Sequence, residues 1–208
     1  MKKTYVYALL IALLGTAACQ SDNTLNPAQD QTKVATSSAS ISVDGAAVQN
    51  SGVLTGTINT APSGARSASV ALQQEILTYL NAARARSCLC GTTTYAPVPA
   101  LALSTKLTSA SDKFALDLAT YNYFSHTGRD GSRPWDRMTR EGYIWRAAGE
   151  NIAAGCTTAR AVVDGWLKSP GHCANIMIPN FREVGVGYAY TTTSTYKAYW
   201  VTDFGTLR

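Results

Sequence analysis

Residues 149–173 read G-E-N-I-A-A-G-C-T-T-A-R-A-V-V-D-G-W-L-K-S-P-G-H-C, with a carboxylate near the start and a histidine near the end. That histidine is His172, and the chain has one other, His126. Any chemistry that requires an imidazole must use these two residues. Between the two ends of the stretch, apolar residues repeat at the i, i+3, i+4, i+7 spacing of an amphipathic helix until a Ser-Pro-Gly sequence at residues 169–171 breaks it.

The composition favours one globular domain together with non-globular segments. The chain has 208 residues, of which 46% are hydrophobic and 15% are charged, and a typical domain takes about 100 to 200 residues. The formal net charge of +5 favours contact with anionic polymers or membrane surfaces and carries no information about fold. The aromatic residues near the C-terminus are interpreted as sheet packing, so we expect no nucleic-acid partner. The domain is expected to be monomeric.

The N-terminus has the layout of a secretory signal peptide over residues 1–18. Two lysines precede an apolar run at residues 5–14, and this run is shorter than the roughly 17 residues that cross a bilayer. Cys19 directly follows two alanines, which resembles a bacterial lipoprotein signal with lipidation on that cysteine. Thr16 stands where such signals usually have leucine, so ordinary cleavage before Cys19 stays open. Both alternatives predict an exported protein, either secreted or anchored in the cell envelope.

Residues 19–68 are interpreted as a flexible tether and residues 69–208 as the folded domain. The first range is rich in Ser, Thr, Ala, Asn, Gln and Gly. It has few large apolar residues, so it cannot bury enough surface to offset the entropy of ordering. A coil of about 50 residues would reach roughly 40 Å, which would hold the domain clear of a membrane.

Four cysteines lie within the domain: Cys88, Cys90, Cys156 and Cys173. An even number of cysteines in an exported chain predicts two disulfides. Four cysteines allow three pairings, and a bridge between Cys88 and Cys90 would be strained by its very short loop. The residues alone leave the pairing open.

The order of the predicted elements indicates an α+β fold. Helical spacing of apolar residues begins at Ser69, and a second helical pattern leads directly to His126. Extended segments are predicted on both sides of Glu150. The alternating residues 183–190 and 196–204 predict a β-hairpin. Helices early in the chain and strands late indicate a small antiparallel sheet covered by helices.

Six ordered motifs show a resemblance to a known family. They are L-N-A-A-R-A, F-S-H-T followed by D-G-S, G-E-N-I-A-A-G, V-V-x-G-W-L-x-S-P-G-H-x-A-N-I-M, E-V-G-V-G-Y-A and Y-W-V-T-D-F-G. With them, residues 69–207 resemble bacterial members of the CAP superfamily, the cysteine-rich secretory, antigen 5 and pathogenesis-related proteins, also called SCP domains. Six motifs in order are far more specific than one short pattern.

The resemblance implies an α-β-α sandwich with a cleft that two histidines and two glutamates line in the plant and animal branch. Three of these residues carry over, onto His126, Glu150 and His172. The second glutamate falls on Ser169, so Asp164 is the nearby carboxylate that would have to replace it. Arg160 and Lys168 stand four residues away from Asp164 on either side, which is also the spacing of ordinary helix ion pairs.

The resemblance also implies a disulfide pairing. In bacterial relatives the cysteine after the last histidine faces the cysteine-glycine sequence that precedes the prolines. Carried over to this chain, that pairing is Cys90 with Cys173, and Cys88 is then left to pair with Cys156.

Two imidazoles with one or two carboxylates suit zinc or another divalent first-row ion. His126 and His172 are therefore candidate metal ligands, and Glu150 either orients a histidine or holds loop N–H groups. The first functional hypothesis is an exported, lipid-anchored binding module with a cleft that holds such an ion. The alternative is a metal-dependent, peptidase-like hydrolase in which Glu150 acts as general base toward metal-bound water.

Positive charge concentrates around the third predicted helix. The arginines concerned are Arg129, Arg133, Arg137, Arg140 and Arg146. The spacing of Arg133, Arg137 and Arg140 places these three on one helix face. We expect either a solvated face or a salt-sensitive contact with an anionic envelope polymer or with lipid head groups.

Overall fold

The structure is a computed structural model that describes residues 19–21 and 67–208. The predicted signal peptide at residues 1–18 and the tether residues 22–66 lie outside the described residues, and both stay predictions. Within the described part of the chain, no helix is long and apolar enough to cross a bilayer.

The described residues form five helices and seven strands. The helices are α1 (Val70–Arg84), α2 (Thr105–Tyr121), α3 (Pro134–Arg140), α4 (Ala159–Lys168) and α5 (Pro170–Ile176). The strands are β1 (Gln20–Ser21), β2 (Cys88–Cys90), β3 (Thr93–Tyr95), β4 (Ala102–Leu103), β5 (Trp145–Ala154), β6 (Glu183–Tyr190) and β7 (Ala198–Leu207). The α+β class is therefore confirmed.

Five of the strands form one sheet, in the order β1-β5-β7-β6-β4. The pairs β1–β5, β5–β7 and β6–β7 are antiparallel, and β4 runs parallel to β6. The predicted C-terminal hairpin is present as β6 and β7. Strands β2 and β3 pair with each other in a separate two-stranded sheet.

Helices cover both faces of the large sheet, so the predicted α-β-α sandwich is present. Apolar side chains of α1, α4 and α5 pack on one face, against Val184 and Val186 of β6 and Trp200 of β7. The other face packs against α2, through Tyr199 and Val201 of β7. The alternation of β7 residues between the two cores follows from the two-residue period of a strand.

Helix α2 lies directly on the backbone of β6. A Cβ atom at Gly185 would lie 2.1 Å from the carbonyl carbon of Leu107, and one at Gly187 would lie 2.2 Å from that of Ser111. Any side chain at these positions would push the helix away from the sheet. The E-V-G-V-G-Y motif therefore has glycine at alternate positions because α2 occupies the space of those side chains.

Residues 19–21, at the start of the predicted tether, are not flexible coil. Strand β1 pairs with Ala154 and Ala153 at the end of β5, and Cys19 before it is disulfide-bonded to Cys156. Residues 19–21 therefore belong to the folded domain, which differs from the prediction that the tether begins at residue 19. Composition gave no sign of this strand, because edge pairing uses backbone hydrogen bonds that any short polar segment can make.

Candidate functional site

His126 and Glu150 form the first half of the candidate site. Asn122, which follows the last residue of α2, adopts the left-handed conformation with φ of 53°, and the loop after it brings His126 to the middle of β5. There Nδ1 of His126 lies 2.6 Å from Oε1 of Glu150, and both side chains are buried. The structure thus brings together two residues that the resemblance assigned to one cleft.

Arg137 of α3 engages the second oxygen of the same carboxylate. Its Nη2 donates to Oε2 of Glu150 at 2.6 Å, and its Nη1 donates to the carbonyl oxygens of His126 and Ser132 at 3.1 and 2.9 Å. The guanidinium also lies 3.4 Å from the centre of the Phe114 ring, a cation–π contact. Both oxygens of Glu150 are therefore engaged, and its side chain is 1% exposed.

Arg137 corrects the prediction of a solvated arginine face. The side chains of Arg133 and Arg140 are more than half exposed and form ion pairs with Asp136 and Asp130. The Arg137 side chain, by contrast, is 9% exposed. It belongs to the candidate site, and sequence reasoning missed it because helical spacing alone does not distinguish a surface position from a buried one.

Asp203 is a second buried carboxyl group beside Glu150. The two residues are opposite each other in the β5–β7 register, and Oγ of Ser111 is hydrogen-bonded to Oδ2 of Asp203 at 2.9 Å. Burial raises the pKa of Asp203 well above its ordinary value, and the negative charge of Glu150 raises that pKa further. Asp203 therefore keeps its proton to a higher pH than an exposed aspartic acid does, and Glu150 is the side chain that pairs with Arg137, at 2.6 Å.

His172 of α5 forms the second half of the site, and the partners described for it are a hydroxyl and an amide. Its Nδ1 lies 2.8 Å from Oγ of Ser169, and its carbonyl oxygen accepts from Nδ2 of Asn151 at 3.2 Å. Nδ2 of Asn175 in turn donates to Oδ1 of Asn151 and to the carbonyl oxygen of Glu150. Ser169 stands where the plant and animal branch has its second glutamate, so a hydroxyl replaces a carboxylate as a partner of this histidine.

Strand β5 joins the two halves, because successive residues of a strand point to opposite faces of the sheet. Glu150 lies on the face that α2 covers, and Asn151 contacts α5 on the other face. Among the described residues, β1 pairs with β5 at Ala153 and Ala154 alone, so at Glu150 the strand forms the edge of the sheet. The two histidines are thus held from opposite faces of one edge segment.

The structure confirms one predicted disulfide and contradicts the other. Cys90 is bonded to Cys173, with their Cα atoms 5.4 Å apart. The predicted Cys88–Cys156 bridge is wrong, since Cys156 is bonded to Cys19 and Cys88 is a free thiol. The pairing failed because Cys19 was left out of it: β1 brings Cys19 to the end of β5, where Cys156 lies.

Asp164 lies apart from these contacts, on the surface of α4. Its Oδ2 accepts from Nε of Arg160 at 2.8 Å, and its side chain is 41% exposed. The structure thus gives Asp164 the ordinary i, i+4 ion pair of a helix. Ser169 rather than Asp164 is the side chain that contacts His172.

A divalent metal would find few donor atoms at this site. In the described part of the chain, the one group of three His, Cys, Asp or Glu side chains whose ligand atoms all lie within 4.8 Å of one another is Cys88, Cys90 and Cys173. Glu150 has both oxygens engaged, and the charge of Arg137 offsets its own. In the described part of the chain, His126, Glu150 and His172 do not form such a group, so a zinc ion at this site would have fewer protein ligands than zinc sites usually have.

A surface cavity of about 430 Å³ lies beside the His126 half, between α2 and the loop that leads to α3. Neither histidine lines this cavity, and its charged residues are largely paired. Nζ of Lys113 lies 2.7 Å from Glu141, and Nη1 of Arg140 lies 2.7 Å from Asp130. Arg137 also lines the cavity, and its guanidinium is bonded to Glu150, so this residue links the cavity to the candidate site.

The chain is similar to two bacterial proteins over 72 residues. It is 44% identical over 72 residues to the uncharacterized protein YkwD of Bacillus subtilis (strain 168), covering 35% of this chain and 28% of that protein. It is 38% identical over 72 residues to the uncharacterized membrane protein YlbC of the same organism, covering 34% and 20%. The match thus spans less than a third of either relative.

A solved structure shares the fold. It is that of an extracellular protein containing a SCP domain from Bacillus anthracis str. Ames, with a TM-score of 0.53 and 27% identity, covering 65% of this chain and 40% of that one. The sequence profile of the CAP family, described as the cysteine-rich secretory protein family, matches residues 77–204. This match takes in more than half of the chain and every site residue described above. The chain therefore belongs to the cysteine-rich secretory protein family.

Proposed function

We propose that this chain is an exported binding module, with a ligand cleft at the edge of β5 where His126 and His172 are held. One observation carries the proposal: Glu150 uses one oxygen to hold His126 and the other to hold Arg137. A carboxylate bonded in this way orients an imidazole. The arrangement supports a preorganised binding surface, because the orienting groups are buried and bonded before a ligand arrives.

The hydrolase alternative receives less support from the same geometry. A general base must reach the proton that it abstracts and must have an acceptor oxygen to receive it. Glu150 has a side chain that is 1% exposed, and its two oxygens are already bonded to His126 and to Arg137. Ser169, which replaces the second glutamate of the plant and animal branch, supplies no second carboxylate.

We further propose that the cleft holds a divalent ion such as zinc weakly, through His126 and His172. With Nδ1 of His126 bonded to Glu150, its Nε2 is the nitrogen that would face an ion. A bound zinc ion would supply a Lewis-acidic contact for an oxygen of the ligand. Protein groups other than the imidazoles would contribute orientation and not coordination.

The proposed setting is the cell envelope or the extracellular medium. Two disulfides suit an oxidising compartment, and the similar structure from Bacillus anthracis is that of an extracellular protein. A Cys19 sulfur that is bonded to Cys156 cannot also carry a lipid, so lipid anchoring and this disulfide are alternative fates of one residue. An anionic envelope polymer is the ligand class that the net charge of +5 favours.

Zinc titration by calorimetry tests this proposal. We expect binding by the purified chain that weakens at least tenfold in His126→Ala and in His172→Ala, because each change removes one of two ligands. Asp164→Asn is the matched control, since Asp164 is ion-paired on the surface of α4, and it should bind zinc as the unchanged chain does. Unaltered zinc binding in both histidine variants would contradict the metal proposal, and turnover of peptides by the unchanged chain that both variants lose would favour the hydrolase.

A further inference from the structure

Three sulfur atoms meet between β2 and α5, outside the site described above. Sγ atoms of Cys88, Cys90 and Cys173 all lie within 4.8 Å of one another. Cys90 and Cys173 form a disulfide, and Cys88 is a free thiol. Sγ of Cys88 lies 3.5 Å from Sγ of Cys173. The free thiol is therefore in direct contact with one sulfur of a disulfide.

The local fold explains why two cysteines of β2 face a single cysteine of α5. Residues i and i+2 of a strand share a face, so Cys88 and Cys90 of β2 both point toward α5. Leu89 between them points outward and is 64% exposed. Cys173 is fully buried on the helix opposite, so it has two candidate partners and bonds one of them at a time.

We propose that these residues form a thiol–disulfide exchange site with two disulfide isomers. The Cys88 thiolate attacks Sγ of Cys173, a Cys88–Cys173 bond forms, the Cys90–Cys173 bond breaks, and Cys90 leaves as a thiolate. The proton that Cys88 loses is returned to Cys90. The step exchanges one disulfide for another and needs no oxidant, reductant or other reactant.

The two isomers should be close in stability by the loop-closure argument. The Cys90–Cys173 bond closes a loop with a sequence separation of 83, and a Cys88–Cys173 bond would close one of 85. The entropy of loop closure depends on the logarithm of loop length, so this difference changes it negligibly. Both bonds also hold α5, and with it His172, to the same strand.

Exchange would change which thiol solvent reaches. Cys88 is half-buried, whereas Cys90 and Cys173 are 5% and 0% exposed. The Cys90–Cys173 isomer therefore presents a partly exposed thiol, and the Cys88–Cys173 isomer buries the thiol that remains. The free thiol is thus partly exposed in one isomer and buried in the other. In both isomers a disulfide links β2 to α5.

Disulfide mapping of the full chain tests the exchange. The folded chain is incubated, then denatured and alkylated with N-ethylmaleimide at mildly acidic pH without reduction, and digested with pepsin, so that every free thiol is accessible to the label while exchange is suppressed. Fragment ions that split the peptide at Leu89 locate the label and the cross-link. We expect both the Cys90–Cys173 and the Cys88–Cys173 cross-links, in a ratio within about tenfold of one, with label on Cys88 and on Cys90.

Two variants make the result decisive. Cys88→Ser should show the Cys90–Cys173 cross-link alone and no labelled thiol at these positions. Cys90→Ser should show the Cys88–Cys173 cross-link and likewise no label. Label confined to Cys88 in the unchanged chain after prolonged incubation would overturn the proposal, and that measurement does not depend on whether a variant folds. Alkylation of both Cys88 and Cys173 in Cys90→Ser would overturn it as well.

Discussion

The two halves of the candidate site hold a histidine in different ways. His126 is bonded to a buried carboxylate that a buried guanidinium neutralises, so charge positions this imidazole. His172 is bonded to a hydroxyl, and the neighbouring residue in the chain, Cys173, is covalently bonded to β2. The comparison shows that one histidine is positioned by an ion-paired carboxylate, whereas the other contacts a hydroxyl and lies next to a disulfide.

This difference affects how much stability a single substitution should cost in each half. Breaking a buried ion pair leaves an uncompensated charge in a low-dielectric environment, which is costly. Losing a neutral hydrogen bond costs much less, about 0.5–1.5 kcal/mol. We therefore expect the His126 half to be the more sensitive of the two to single substitutions in its polar groups.

The largest expected effect comes from Glu150→Gln. The change keeps the shape of the side chain and leaves Arg137 buried without its counter-charge, so the free energy of unfolding should fall by about 3–5 kcal/mol. Urea denaturation followed by circular dichroism measures this change.

Ser169→Ala is the matched change in the His172 half. It removes the hydroxyl that contacts Nδ1 of His172, and the free energy of unfolding should fall by about 1 kcal/mol. Equal losses for the two variants would contradict the distinction between a buried ion pair in the His126 half and a hydroxyl contact in the His172 half.

A smaller effect concerns the pH dependence of stability. The pKa of Asp203 is raised in the folded state by burial and by Glu150, with Arg137 and Ser111 acting in the opposite direction. Above the unfolded-state pKa of about 3.9 the unfolded chain loses this proton while the folded chain keeps it, so stability falls as pH rises until the folded-state pKa is passed. Asp203→Asn cannot titrate and should lack this decline.

Thermal unfolding of both chains between pH 4 and pH 8 measures that contribution. The difference in melting temperature between Asp203→Asn and the unchanged chain should move in favour of the variant as pH rises. A difference that stays constant over this range would show that Asp203 has an ordinary pKa.

Much of the fold followed from patterns in the sequence that reflect local physics. The C-terminal hairpin was predicted because alternation marks a strand with two unlike faces, and α2 because its apolar residues repeat at helical spacing. Strand β1 was missed because two polar residues at a sheet edge carry no pattern. Its partner on β5 lies more than 130 residues later in the chain, as the Cys19–Cys156 separation of 137 shows.

The site was predicted in part, for reasons that differ from residue to residue. His126, Glu150 and His172 followed from a resemblance, because motifs preserve residue types. Arg137 and Ser169 did not, since their roles depend on which side chain fills the space beside a carboxylate or an imidazole. Asp203 carried one usable signal, an acidic residue within the apolar run of β7, which is unusual unless the group is paired or protonated.

The central claim is that Glu150 orients His126 and does not itself bind or react. A crystal soaked with zinc and scanned at the zinc absorption edge tests this claim most directly. The account predicts an anomalous peak beside the imidazoles of His126 and His172, with Glu150 still bonded to His126 and Arg137. A peak coordinated by Glu150 after it has left Arg137, or no peak at the histidines at all, would contradict it.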